Sequence, residues 1–284
     1  MAAKYEDSAF RERFGPWALV AGGSDGIGES FARELAQRGL DIVLLARRQE
    51  PLEALAASLE EDFGVRACAV QADLTDERIG EIVADGTGER EVGLLIYNAG
   101  AVHGAKPFHE QPLDHALSLM HLNVRGPLTL AHALGGAMRE RGRGGMVFLT
   151  SMAAAVGSAY TTTYAATKSF DLILAEGLWH ELAPHGVDVM AAVAGATRTP
   201  SMLSSTDGFE DYPGVMEPID VARGALAHLG KGPMWVAGEA NRSVAAQAWM
   251  NGRVGFINGM SAASAAIYGL PVHEVAGVDF TEPD

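Results

Sequence analysis

Residues 17–28 read Trp17-Ala18-Leu19-Val20-Ala21-Gly22-Gly23-Ser24-Asp25-Gly26-Ile27-Gly28, an apolar run ending in a glycine-rich turn. Ile27, Phe31 and Leu35 then recur at four-residue steps, the spacing of one helix face, and Gly39 stops the pattern. The stretch predicts a strand, a tight turn and a helix. Backbone N–H groups at such a helix start, together with the helix dipole, attract a phosphate, and glycine lets it approach closely. The spacing is Gly-x-x-x-Gly-x-Gly rather than the Gly-x-Gly-x-x-Gly of the usual dinucleotide fingerprint. Glycine turns also open many helices that bind nothing, and the acidic Asp25 does not help to bind a phosphate.

Moving outward, the next strand, 41–45, ends in Ala46-Arg47-Arg48 ahead of a helix over 51–63. An acid at this point suits the 2′-hydroxyl of an adenosine ribose, whereas arginine suits a 2′-phosphate. Arg47 and Arg48 therefore favour NADP(H) over NAD(H); the alternative is two solvated charges at a helix start. A third strand, 66–71, leads into Asp73-Leu74, followed by a helix over 76–84 and a polar, glycine-containing loop. A fourth, 92–97, leads into Asn98-Ala99-Gly100. Strands alternating with helices at this spacing predict a doubly wound α/β fold, a parallel sheet with helices on both faces. Ligands of such sheets bind at the carboxyl ends of the strands, where all of these motifs fall.

Composition narrows the function classes. A chain of 284 residues with 48% hydrophobic content can bury a full core as a single domain. Its net charge of −15 argues against nucleic acid or an anionic membrane as partner. No uncharged apolar run reaches the ~20 residues of a membrane span. Residues 1–16 carry charges throughout and lack the apolar region of a signal peptide. The single cysteine, Cys68, lies in an apolar run and reads as a reduced, buried core residue of a cytoplasmic protein. The nine histidines form no metal-ligand spacing with cysteine or acids, so no metal is expected.

Tyr164-Ala165-Ala166-Thr167-Lys168 places a phenol and an ammonium four residues apart, on one face of a helix. A phenol titrates near ~10, and a nearby cation favours its ionised form, so the pair can exchange a proton nearer neutrality. Alone, such a pair is more simply a packed ring beside a solvated charge. Ser151 follows the apolar strand 146–149 and so stands at another strand's carboxyl end, where a serine also commonly caps a helix. Asn123 lies late in a helical stretch beginning near Leu113, where a polar residue before Gly126-Pro127 can simply end the helix. What sets these residues apart is their joint occurrence. Hydride transfer to a carbonyl leaves charge on oxygen, which needs prepositioned hydrogen-bond donors and a proton source.

The motif at 21–28, Asp73, Asn98-Ala99-Gly100, Asn123, Ser151, Tyr164 and Lys168 stand in the order and spacing of the short-chain dehydrogenase/reductase family, which the sequence resembles over residues 15–200. Ser24-Asp25-Gly26-Ile27-Gly28 with Arg47 further resembles its NADPH-dependent hydroxysteroid and 3-ketoacyl reductases. The resemblance implies a Rossmann-type fold and a carbonyl/alcohol oxidoreductase. It implies that Gly22, Ser24, Ile27 and Gly28, in the turn that also holds Asp25, take the pyrophosphate and nearby ribose. Asp73 and Leu74 flank the adenine, and Asn98, with Ala99 and Gly100 after it, holds the strand end near the adenine-side ribose. Tyr164 is then the general acid in reduction and the base in oxidation. Lys168 binds the nicotinamide ribose and lowers the proton affinity of the tyrosine. Ser151 bonds the substrate oxygen, and Asn123 helps hold a water that relays protons to Lys168. Two positions depart from the pattern. Ala21 replaces a threonine, which loosens the turn, and Ala194 replaces a proline ahead of Thr199, the residue expected to meet the carboxamide.

The remaining chain decides the substrate. A helix over 164–180 carries Phe170, Leu174 and Leu178 on one stripe, with Trp179 adjacent. The stripe either packs on its own sheet or, as the resemblance implies, pairs subunits in a homo-dimer or homo-tetramer. Strand 187–193 precedes residues 201–216, rich in Ser, Asp, Gly and Pro yet carrying Met202, Leu203, Phe209 and Tyr212. These read as a lid over an apolar substrate or as an ordinary surface loop. A helix from Pro218 to Leu229 and a last strand, 234–236, follow. Trp249, Met250, Phe256, Met260 and Tyr268 then either close the pocket or form a subunit contact, and 281–284 reads as a frayed tail. Residues 201–284 are expected to form the lid and C-terminal part of the same domain. The expected activity is an NADP(H)-dependent exchange of hydride with a carbonyl or secondary alcohol. An NAD-dependent alcohol dehydrogenase and a non-catalytic dinucleotide-binding regulator are the alternatives.

Overall fold

The computed structural model of the chain describes residues 7–100, 105–206, 209, 212–247 and 253–271. Seven parallel strands form one sheet in the order β3-β2-β1-β4-β5-β6-β7. They are β1 (Trp17–Ala21), β2 (Asp41–Ala46), β3 (Ala67–Gln71), β4 (Val92–Tyr97), β5 (Gly144–Ser151), β6 (Val187–Ala194) and β7 (Met234–Val236). Every residue of β1, β2 and β4 is buried, as expected where helices cover both faces of a sheet. The order reverses beside β1, and this crevice is the usual ligand site of such sheets.

One face is covered by α2 (Gly26–Gln37), α3 (Gln49–Phe63) and α9 (Pro218–His228), whose Phe31, Leu35, Leu52, Leu59 and Val221 pack with the side chains of alternate strand residues. The other carries α4 (Ile79–Thr87), α6 (Gly126–Arg141) and α7 (Thr162–Leu182). Leu174, Leu178 and Trp179 pack on this second core, so this part of the predicted stripe faces its own sheet. The short α1 (Ser8–Phe14) sets Phe10 against Phe14, their rings tilted, and Phe14 is buried in the first core.

Several boundaries differ from those read in the sequence. Helix α3 begins at Gln49, leaving Arg48 as its N-cap residue. Helix α4 begins at Ile79, not Asp76, because the Asp76 carboxylate accepts the Arg78 N–H and folds 76–78 into a turn. It runs through Gly86, whose missing side chain lets Val70 approach: a Cβ there would stand 2.7 Å from Val70 Cγ1. Cys68 is half-buried rather than a core residue, since β3 is the sheet's edge strand; burial still pushes its thiol up. The helix α5 (Leu113–Met120) does not end near Asn123. It passes through a π-helical turn, His121–Arg125, into α6.

Residues 200–205 form a short helix, α8 (Pro200–Ser205), where an irregular segment was expected. Phe209 is 2% exposed and stacks with Tyr212, while the other residues between 206 and 212 lie outside the described set. Two further helices follow among the described residues, α10 (Glu239–Gln247) and α11 (Arg253–Tyr268). Trp249, Met250 and 281–284 lie outside the described residues. Among those described, no helix is long and apolar enough to cross a membrane.

Candidate active site

The glycine turn is built by close approach. Gly22 has φ +81°, and a Cβ on it would lie 2.8 Å from the Ala99 backbone. A Cβ on Gly28 would lie 2.0 Å from the Gly22 carbonyl oxygen, so helix and turn touch directly. Asn98 Nδ2 donates to Gly22 O at 2.9 Å, and the N–H groups of Asn98 and Ala99 both donate to Ala21 O. The Asn98 side chain thus ties down the turn in which Ala21 stands in place of threonine. Asp25 occupies the N-cap of α2 but makes no capping bond, so no side chain competes for the first-turn N–H groups. Its carboxylate instead takes Arg48 Nη2 at 2.5 Å, and the same nitrogen donates to Ser24 Oγ at 3.1 Å. Close-packed glycines at an uncapped helix start, with arginine at its rim, fit a phosphate-bearing dinucleotide.

Asp73, at the end of β3, accepts the Thr75 N–H and hydroxyl at 2.9 and 2.8 Å. Burial acts to raise its carboxyl, but the two Thr75 bonds and Arg47 outweigh it and hold the group below its usual value. Arg47 thus lies close enough to act on Asp73, while Arg48 pairs with Asp25. Leu74 beside them is buried.

A cavity of ≈ 330 Å³ opens at the carboxyl ends of β1, β4, β5 and β6, and Asp25, Ile27, Asn98, Gly100, Ser151, Tyr164, Lys168 and Thr199 all line it. Ser151 ends β5 and caps the following 3-10 turn, its Oγ accepting the Ala153 N–H at 3.2 Å. The hydroxyl proton stays available to donate. Ala194 is paired in register with Ser151, so strand pairing fixes the backbone where proline was expected to. Thr199 caps α8 and packs on Gly26, which at φ +57° has room only because it lacks a side chain.

Lys168 is 4% exposed, and its Nζ does not reach the Tyr164 phenol. It donates to Leu149 O at 2.8 Å and to Asp171 Oδ2 at 3.1 Å. Gly100 stands over it: a Cβ there would lie 2.9 Å from Lys168 Nζ and 3.5 Å from Asn123 Oδ1. Asn123 is fully buried, and its Nδ2 donates to Thr167 Oγ1 at 3.0 Å, while its Oδ1 has no hydrogen-bond partner among the described residues. The π turn explains how a helix passes through Asn123. Pro127 has no N–H to give to the Asn123 carbonyl, and Gly126 N–H reaches back to His121 O instead. Tyr97 Oη donates to Leu122 O at 2.5 Å and steadies this turn.

Two contributors were not found in the sequence reading, and a third was read only in part. Tyr97 looked like the last apolar residue of a strand, and Asp171 like one polar position on an unremarked helix face. The third is α11, whose Met260, Ala263, Ser264, Ile267 and Tyr268 form one wall of the cavity beside Met202 and Phe209. Ser158 Oγ bonds Ser264 Oγ at 2.7 Å, and Ala159 N–H donates to Ser261 Oγ at 2.9 Å, docking α11 just ahead of Tyr164. Burial and then Tyr164 push the Tyr268 phenol up to about 12. Met260 and Tyr268 thus close the pocket.

A parallel sheet with a glycine turn at the first strand end, and a serine, a tyrosine and a lysine around one cavity, defines a dinucleotide-dependent oxidoreductase. The chain belongs to the short-chain dehydrogenase family, whose model matches residues 16–208. It is 32% identical over 234 residues, 82% of this chain and 89% of the relative, to a 7β-hydroxysteroid dehydrogenase of Clostridium sardiniense. A solved 7β-hydroxysteroid dehydrogenase structure superposes with a TM-score of 0.83 at 28% identity, covering 88% of this chain and 98% of that one. A short-chain dehydrogenase from Sphingobium yanoikuyae, in complex with NADPH, superposes with a TM-score of 0.73 at 33% identity, covering 83% and 94%.

Proposed function

We propose that the chain is an NADP(H)-dependent oxidoreductase that interconverts a ketone and a secondary alcohol on a bulky, apolar substrate. The observation that carries this reading is the meeting of Ser151 and Tyr164 with the apolar side chains of Met202, Phe209, Met260 and Ile267 on one cavity. The lining combines a few polar groups with carbon surface, which suits a large hydrocarbon body bearing one reacting oxygen. The likeness to 7β-hydroxysteroid dehydrogenases supports a substrate of that size.

Bound NADPH supplies the hydride. Ser151 donates a hydrogen bond to the substrate oxygen, and Tyr164 delivers the proton that the developing alkoxide needs. Lys168 keeps positive charge beside them and turns its remaining N–H toward the nicotinamide ribose. Asn123 holds a water for the proton relay. Gly22, Ser24, Ile27, Gly28, Asn98, Ala99 and Gly100 cradle the pyrophosphate and adjoining riboses, Asp73 and Leu74 flank the adenine, and Thr199 meets the carboxamide. Arg47 and Arg48 take the 2′-phosphate, a reading supported by the NADPH complex of the Sphingobium relative. Residues 201–216 and α11 act as the substrate lid of the same domain. Exposed Leu113, Leu117 and Ile173 support pairing with a second copy through α5 and α7, in a cytoplasmic protein.

The experiment is NADPH oxidation across a panel of cyclic, aromatic and steroid ketones, with NADH in parallel and Tyr164→Phe as control. Turnover with bulky ketones, preferring NADPH and abolished in the variant, is the expected result. Turnover restricted to small polar carbonyls would contradict the substrate class, and equal use of NADH would contradict the cofactor preference.

A further inference from the structure

Asp171 has no part in the chemistry above, yet it is fully buried one helical turn beyond Lys168. Its Oδ2 accepts Lys168 Nζ at 3.1 Å, and its Oδ1 has no hydrogen-bond partner among the described residues. A carboxylate inserted into a core without a full set of partners is costly, and an ordinary helix–sheet contact would be better made by an apolar residue. Something other than packing accounts for it.

Lys168 supplies the reason. An ammonium buried without a partner tends to lose its proton, and the neutral amine neither stabilises a phenolate nor offers three donors. Lys168 directs one donor to Leu149 O and one to Asp171, which leaves the third for the cavity side, under Gly100. We propose that Asp171 is a positioning residue for the reaction, acting through Lys168: it keeps the buried lysine charged and turns its remaining N–H toward the cavity. This rests on the role given to Lys168 above.

The groups facing Asp171 are consistent with a two-member pair. Lys168 comes from its own helix, and Tyr97 faces it from β4. Burial, and after it Asp171, pushes the Tyr97 phenol well above its usual value, so Tyr97 stays protonated and adds no charge. β5 contributes only the neutral Leu149 carbonyl. Burial pushes the Asp171 carboxyl up to about 6 against the opposing pull of Lys168, so the pair is ionised at neutral pH and loses its negative member in mild acid.

The test uses the full chain carrying 13Cε-labelled lysine. Its lysines are Lys4, Lys106, Lys168 and Lys231, and Lys168→Arg assigns the signal of interest. Asp171→Asn is expected to lower the titration midpoint of the Lys168 signal by about one pH unit or more, the scale of a lost buried charge partner. Asp171→Glu is expected to restore most of it. In wild type the same signal is expected to carry a second inflection near pH 6 from Asp171 itself. Alcohol oxidation by Asp171→Asn should correspondingly need a higher pH, by a similar interval, while NADPH still binds. Coincident Lys168 titrations in wild type and Asp171→Asn would overturn the proposal. The resonance titration needs no turnover. A wild-type chain that reduces no ketone would sink the proposed activity and still leave the coupling of Asp171 to Lys168 measured.

Discussion

Arg48 Nη2 and Asp25 Oδ2 lie 2.5 Å apart, an ion pair that bridges the end of β2 and the glycine turn. The pair gives the acid in that turn a physical role. Asp25 does not face an incoming phosphate as a free charge; it holds a flexible arginine at the rim where a 2′-phosphate would arrive. Both groups are more than 40% exposed, so the pair adds little to folding and matters for placement. Arg48→Ala is expected to weaken NADPH about 10-fold while changing NADH little, the loss of one charge-assisted bond to phosphate. Titration of each nucleotide by fluorescence checks this, and equal losses for both would contradict a 2′-phosphate role.

Gly28 offers a sharper steric test. Its absent Cβ would fall 2.0 Å from Gly22 O and 2.7 Å from Asn98 Nδ2, and neither can move without opening the turn. Gly28→Ala should cost roughly 1–3 kcal/mol, the usual penalty of overpacking. Thermal unfolding should show a lower Tm together with a loss of nucleotide binding.

Asp171 makes the folding equilibrium depend on pH in a definite direction. Its folded-state carboxyl titrates at about 6, above the ordinary 3.8, so the folded protein holds that proton more tightly than the unfolded chain. The stabilisation from this group is present in full below the ordinary value and is lost as pH rises through about 6. Wild type should therefore lose stability relative to Asp171→Asn between these limits, with a constant gap above them. Urea unfolding of both proteins across this range measures the difference and cancels the other carboxylates.

The wall formed by α11 predicts a separation of substrate from cofactor effects. Ile267→Asp places a charge in the α11 wall of the cavity. It should raise KM for a bulky ketone about 10-fold or more, the scale of burying an unpaired polar group, and leave the NADPH Kd unchanged. Steady-state kinetics beside nucleotide binding checks the split.

The cofactor half of the site was legible because its constraints are local. A strand, a glycine turn and a helix follow one another in 17–37, and backbone conformation alone makes the cradle. Tyr164, Lys168 and Ser151 could be read because their spacing is fixed by one helix and one strand end. Asp171 could not be read as a partner of Lys168, since an i+3 carboxylate on a helix is ordinarily a solvated neighbour; its meaning comes from burial between sheet and helix. Asn123 looked like a helix end because Gly126-Pro127 breaks most helices, and only the π turn shows how the chain continues. Met260 and Tyr268 could be named in the sequence, but the helix that carries them, α11, could not. Its small and apolar residues carry no clear amphipathic stripe, so the periodicity that marks a helix is missing there.

The central claim, that Tyr164 serves a hydride transfer to a ketone in this cavity, is tested most directly by isotope. NADPH deuterated at C4 of the nicotinamide is incubated with a bulky ketone and the product alcohol examined by mass spectrometry. Wild type should place deuterium on the carbinol carbon, and Tyr164→Phe, still binding NADPH, should form almost none of that alcohol. An undiminished yield of deuterated alcohol from Tyr164→Phe, or alcohol formed by wild type without deuterium, would contradict the account.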